Sequence, residues 1–264
     1  MKRWIPLAAL VAFLQGCATQ LVFLPETASQ DPDRAPSAAV LQFQHISIEP
    51  AEGDAVLKPE ALRPGDILLT HAPSLRAAGI QLFTFAPVSH AAVYIGDGKI
   101  VEAVMPSVRT RSMEEVLKEE TVVVVLRHPE LTGEQARLIR EYALEKSGTG
   151  FSFLGVTLQF PLSIGRKVCE VPLMPTALRD ACIRSLGVLN QLAASENQLF
   201  CSQLVLQAYR HAGVPITYAD PRLISPADIL HMREGDVSSF RIRKQLQFVG
   251  RMKYEQPVTV AFQQ

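Results

Sequence analysis

Apolar positions fall in short runs between residues 60 and 127 and change to a three-and-four spacing further along the chain. In "RPGDILLTHA" a turn signal at Pro64 and Gly65 precedes an apolar run, which predicts a strand over Asp66–Thr70. "VSHAAVYIGDGKIVEAV" carries two such runs around Asp97-Gly98, a hairpin signal. "TVVVVLR", residues 121 to 127, is rich in β-branched residues and predicts a buried strand. Thr132 with Gln135 then forms a capping box for a helix over Gly133–Lys146, ended by Gly148. Leu204, Val205, Ala208, Tyr209 and Ala212 recur at helical spacing, with Gly213 and Pro215 as the stop. That pattern puts Cys201 in the first turn of its helix.

Three further segments are less regular. "SLRAAGIQLFT" predicts a short helix capped by Ser74, and "SPADIL" one that starts with Ser225 as cap, Pro226 first and Asp228 third. "SFRIRKQLQFVGRM" alternates well enough for one or two closing strands. The globular part runs from about Leu41 to Gln264 without internal repeats, in a chain long enough for one sizeable domain or at a stretch two small ones. Residues 149–200 form a long apolar insertion, with a helix-like run from Thr176 to Ala194, expected to cover the site or fill core.

Composition changes the picture mainly at the N-terminus. Hydrophobic residues make up 48% and charged residues 20%, which excludes wholesale disorder, and the balance of 26 basic against 26 acidic residues gives no sign of a nucleic-acid partner. Lys2 and Arg3 precede an apolar run from Ile5 to Leu14 that is too short to span a bilayer, followed by "LQGC". This resembles the signal peptide and lipobox of a bacterial lipoprotein, with residues 1–16 removed and Cys17 lipidated; a simple secretory signal is the rival. Ala18 in second place implies, by the same resemblance, the outer membrane with the domain facing the periplasm. Residues 17–40 mix Pro, Ser, Ala and Asp and read as a flexible tether. Without residues 1–16 there remain 24 basic and 26 acidic residues, a formal charge of −2, too little to draw the chain to a membrane beyond its anchor. An oxidising compartment permits a disulfide, with Cys169 and Cys182 as the natural pair and Cys201 left free.

A free cysteine in a first turn can be a buried small hydrophobe. It can also be a nucleophile, since the unpaired N–H groups and the positive helix end stabilise a thiolate. The second role needs a base and a group to orient the base. Of six histidines, His211 lies ten residues on in the same helix, about 15 Å away and out of reach. His128 sits in a loop before Pro129, His45 and His231 have uninformative neighbours, and His71 ends a strand that could border a site. His90 opens the hairpin, and twelve residues later Glu102 stands among apolar neighbours, where a carboxylate needs a partner. A two-residue loop places Glu102 opposite Val93 and away from His90. A three-residue loop, or an equivalent bulge, places His90 opposite Val104 and makes Glu102 its diagonal neighbour on one face. The second register is the one expected.

His90, then Glu102, then Cys201 within "FCSQLV", with "PGDILL" before and "SPADIL" after, resembles the permuted papain-like cysteine hydrolases. More narrowly, with "SHAAVYIG" as its other strong motif, the chain is similar to the YaeF/YiiX type, permuted relatives of NlpC-like cell-wall peptidases and of lecithin retinol acyltransferase. The resemblance spans roughly residues 60 to 232. It implies a single-domain α+β, circularly permuted papain-like fold, an antiparallel sheet packed against the helix that carries Cys201 as nucleophile, with His90 as base and Glu102 orienting it. It implies thioester chemistry on an amide bond in a cell-wall or other small peptide. Glu102 in place of a second histidine favours the hydrolase branch over the acyltransferases. Acyl chemistry on a lipid or lipoprotein ester, suggested by "FSFLGVTLQFPL", and a non-catalytic envelope-binding module remain as alternatives. No metal or cofactor is expected: Cys169 and Cys182 lack spaced ligand partners, and no phosphate-binding glycine loop occurs.

Overall fold

The computed structural model describes residues 18–23, 39–45, 56–71, 88–157, 165–187 and 198–254. In chain order the elements are β1 (Thr19–Phe23), β2 (Ala39–Phe43), β3 (Ile67–His71), β4 (His90–Gly96), β5 (Lys99–Ala103), β6 (Val108–Ser112), α1 (Met113–Glu119), β7 (Val122–Arg127), α2 (Gly133–Glu145), β8 (Gly150–Phe151), α3 (Thr176–Leu186), β9 (Gln198–Leu199), α4 (Cys201–His211), α5 (Pro226–Leu230) and β10 (Gln247–Tyr254). The main sheet has six strands in the order β10-β7-β3-β4-β5-β6, and every neighbouring pair is antiparallel.

Both faces of this sheet are covered, so its central strands are apolar at odd and even positions alike. In β7, Val122, Val124 and Leu126 pack with Ile67, Leu69, Val93 and Val101 into a cluster that contains Leu204, Val205, Ala208 and Tyr209 of α4. Val123 and Val125 turn the other way and join Leu68, Ala92, Tyr94 and Ile100 beneath Met113 and Val116 of α1. The helix bearing Cys201 thus lies on one face of an antiparallel sheet, and the strand bearing His90 precedes it in the chain. This is the order of the permuted papain-like fold.

Gly65 shows why the "PGD" turn needs its glycine. Its φ is +94°, and a Cβ there would stand 2.3 Å from Leu131 Cδ2. Its carbonyl accepts the Tyr209 hydroxyl of α4, while the next residue, Asp66, accepts two hydrogen bonds from Arg127, at 2.6 and 2.7 Å. Gly65→Ala is expected to cost about 1–3 kcal/mol through strain and collision, seen as a lower thermal midpoint. An unchanged midpoint would mean that the turn relaxes freely.

Two expectations are revised here. The tether over residues 17–40 contains β1 and the start of β2, which pair antiparallel, and Ala18 is fully buried. The reason lies in α3: the buried Arg179 guanidinium donates to the Thr19 carbonyl, and the Leu173 N–H donates to Thr19 Oγ1 at 2.7 Å. The helix-like run from Thr176 ends at Leu186, one residue before Gly187; residues 188 to 197 lie outside the described set. The signal segment 1–16, Cys17 and the helix expected from Ser74 also lie outside it. The strand expected over Asp66–Thr70 runs one residue later, and the tail forms the single strand β10.

The insertion is closed at its base. Its first strand, β8, pairs in parallel with its last, β9, so that Phe151 lies opposite Leu199, two residues before Cys201. Cys169 and Cys182 are joined by a disulfide across its middle, with Cα atoms 5.7 Å apart.

Candidate active site

The β4–β5 hairpin fixes the first pair of site residues. Ala92 lies opposite Glu102, Val93 opposite Val101 and Tyr94 opposite Ile100, the register that makes His90 and Glu102 diagonal neighbours. At the tip the pairing shifts, with Gly96 opposite Lys99, so β4 carries one extra residue as a bulge and only Asp97-Gly98 forms the turn. Gly96, Asp97 and Gly98 all have positive φ, of 92°, 53° and 65°. Two glycines and an aspartate are the residue types that tolerate such a path.

Within this frame His90 Nε2 lies 2.9 Å from Glu102 Oε2. The ring also interacts with the Cys201 thiol, for which Nδ1 is the nitrogen left over. The thiol of Cys201, the first residue of α4, is also favoured in its ionised form by the nearby backbone N–H groups of Ala91 and Ser202. Cys201, His90 and Glu102 therefore stand in line. His71, the other strand-end histidine, sits beside them in the sheet with Nδ1 3.2 Å from Ser89 Oγ.

Charge follows from these contacts. Burial alone would push the imidazole of His90 towards neutrality, but its interactions with Cys201 and Glu102 outweigh that and raise its pKa to about 10. Burial alone would raise the thiol of Cys201, and the same partnership with His90, reinforced by the two backbone N–H groups, lowers it instead. Burial likewise opposes the Glu102 carboxylate, yet His90, Arg111 and Arg109 bring it down to about 2. These shifts favour a thiolate beside an imidazolium, a pairing suited to attack on a carbonyl carbon and protonation of its leaving group.

Two residues here escaped the sequence analysis. Arg109 stands directly opposite Glu102 on β6 and donates from Nε to Oε1 at 2.9 Å, and Arg111 Nη1 approaches the same oxygen at 3.3 Å. Arg111 is buried and also pairs with Glu119, at 2.9 Å, and Glu120, at 3.5 Å. The two arginines saturate one carboxylate oxygen and leave the other aimed at His90. Their signal was the alternation in "VRTRS", which puts both on one face of a strand next to a buried glutamate.

The other histidines serve elsewhere. His231 Nδ1 lies 3.0 Å from Asp236 Oδ2, His128 Nδ1 accepts the Glu130 N–H, and His211 packs its ring 5.0 Å from that of Tyr142 near the end of α4.

No family model matches the chain. The crystal structure of "metalloprotein yiiX" from Escherichia coli O157:H7 is similar with a TM-score of 0.42 and 17% identity, over 74% of this chain and 98% of that one. Among the described residues here, no three or more His, Cys, Asp or Glu side chains are grouped so as to hold a metal ion. A protein of Escherichia coli K12 named "probable lipoprotein peptidase YaeF" is 32% identical over 243 residues, which span 91% of this chain and 88% of that protein. With the likeness running nearly end to end, through the hairpin, the insertion and the Cys201 helix alike, the chain belongs to the YaeF/YiiX-type family.

Proposed function

We propose that the protein is a cysteine hydrolase that cleaves an amide bond in a cell-wall or other small peptide, held at the outer membrane by a lipid on Cys17 and facing the periplasm. The observation that supports this reading is His90 held by Glu102 at 2.9 Å and interacting with Cys201 at the start of α4. The Cys201 thiolate attacks the carbonyl carbon, and the developing oxyanion is met by the Cys201 N–H at the positive end of the helix. His90 then gives its Nδ1 proton to the departing amine, leaving a thioester. Water, giving a proton to His90, attacks the thioester, and its collapse releases the acid and restores the Cys201 thiolate beside the His90 imidazolium. Glu102, fixed by Arg109 and Arg111, keeps the ring oriented and supports its positive charge throughout. The relative named as a probable lipoprotein peptidase agrees with both the anchor and the amide substrate.

A second reading, hydrolysis of an acyl ester, rests on Phe153 and Leu154. Both are exposed large apolar side chains just past β8, whose partner β9 leads into Cys201. Incubating the protein with peptidoglycan fragments, free cell-wall peptides and diacyl lipids in parallel separates the two. New peptide amines, absent with Cys201→Ala, are the expected result; fatty acid release instead would select the ester reading. Neither product, with no thiol reactivity at Cys201, would leave a binding module.

A further inference from the structure

From the packing of its N-terminal strands we infer that this protein lies flat on the membrane through an apolar face built from the β1–β2 hairpin and the segment around α3, rather than hanging from a tether. The inference rests on the reading of Cys17 as the lipid-bearing residue. Leu21 and Phe43 share one face of the hairpin with Thr19, which is paired with Phe43. Thr19 receives the Leu173 N–H, so Leu173 lies beside them. Phe43 is 57% exposed, Leu173 64% and Leu178 62%. Leu178 and Leu186 are two turns apart on one side of α3, and Cys182 between them is bonded to Cys169 next to the exposed Val168. Large apolar side chains gathered in this way mark a contact surface.

The occupant follows from chain length. A residue spans at most about 3.5 Å, so a lipid on Cys17 enters the bilayer within about 14 Å of Leu21. Ala18 is buried, and Arg179, fully buried itself, donates to the carbonyls of Thr19, Met174 and Ser238. That guanidinium ties Thr19, two residues from the anchor, to α3 and to the loop before β10. The segment therefore cannot extend to lift the domain away, and the face beside it meets the acyl region. A second copy of the chain on this face would have to displace the lipid surface that the anchor brings to it.

The test uses the full chain purified from membranes and reconstituted in phosphatidylethanolamine–phosphatidylglycerol vesicles with brominated acyl chains. The sequence has one tryptophan, Trp4, within the segment removed ahead of Cys17 in this reading, so Phe43→Trp, Leu173→Trp and Leu178→Trp each report a single position. Leu144→Trp is the water-facing reference on α2, whose outer side carries Arg137 paired with Glu134 and Glu141. Mass spectrometry of the same samples shows whether Cys17 is acylated. Strong quenching at the three reporters with none at residue 144 is expected. Acylated Cys17 with reporters no more quenched than the reference overturns the docking and leaves the anchor standing. Quenching without acylation keeps the docking and removes the anchor; neither one overturns both. Reporters that shift to the blue with protein concentration, in vesicles without bromine, would assign the face to a second copy and overturn the inference.

Discussion

His90→Ala is expected to strip Cys201 of its reactivity at low pH and to reduce hydrolysis by about a thousandfold or more. At pH 6 an ordinary thiol of pKa near 8.5 is about 300-fold poorer in thiolate than one fully ionised. A less acidic thiol is intrinsically more nucleophilic, which returns part of that loss, so alkylation by iodoacetamide should slow by about tenfold or more. Hydrolysis suffers further, because the proton donor to the leaving group goes with the ring. The wild-type pH profile has a definite sign. The ion pair exists above the lowered pKa of Cys201 and below the raised pKa of His90, about 10. Alkylation should reach its plateau at lower pH than an ordinary thiol does, while hydrolysis declines as pH rises through about 10 and the imidazolium is lost. Glu102→Gln withdraws the carboxylate that favours the imidazolium, so the upper decline moves to lower pH. A wild-type alkylation curve with its midpoint near 8.5, unmoved by His90→Ala, would sink the assignment.

Asp228→Ala is expected to be the most damaging single change to stability. Arg166 and Asp228 are both buried and form a two-pronged pair, from Nη1 at 2.9 Å and from Nη2, with Glu170 on Arg166 Nε at 3.0 Å. Removing one partner leaves a guanidinium short of charge in a dry site, which costs about 3–5 kcal/mol. Asp228 also closes the capping box of α5 with Ser225, which contributes about 1 kcal/mol. For a chain of this size the thermal midpoint should drop by about 10 °C or more. Arg166→Met combined with Asp228→Leu should recover part of the loss, because no charge is then stranded. A midpoint within about 3 °C of wild type for Asp228→Ala would show that water reaches the pair. The effect touches chemistry too, since Ser202, next to Cys201, donates to the Ile224 carbonyl immediately before that cap at 2.6 Å.

The elements that could be read in advance are those whose cause is local. Thr132 and Gln135 cap α2, and Ser225 and Asp228 cap α5, through contacts three residues apart. The β-branched run of β7 needs only burial on both faces. Even the pairing of Glu102 with His90 follows from side-chain alternation, once the hairpin register is chosen. What escaped depends on contacts between distant parts of the chain. Arg166 and Asp228 are 62 residues apart, and Arg179 meets Thr19 across 160. Nothing in "ATQLVF" tells a strand from a tether until Arg179 and Leu173 are beside it. Arg109 and Arg111 lay closer to hand, on the strand next to Glu102, but their role depends on a second register, between β5 and β6.

The bulge in β4 makes the length of an exposed loop a condition of the chemistry. Loop tips ordinarily accept insertions and deletions, because nothing buried depends on them. Here the extra residue between Tyr94 and Gly96 decides which side of β5 faces His90. Losing one residue at the tip would re-pair the strands and send Glu102 towards the α4 face, exchanging it with an apolar neighbour. Such a deletion would disable the site without altering any of its side chains.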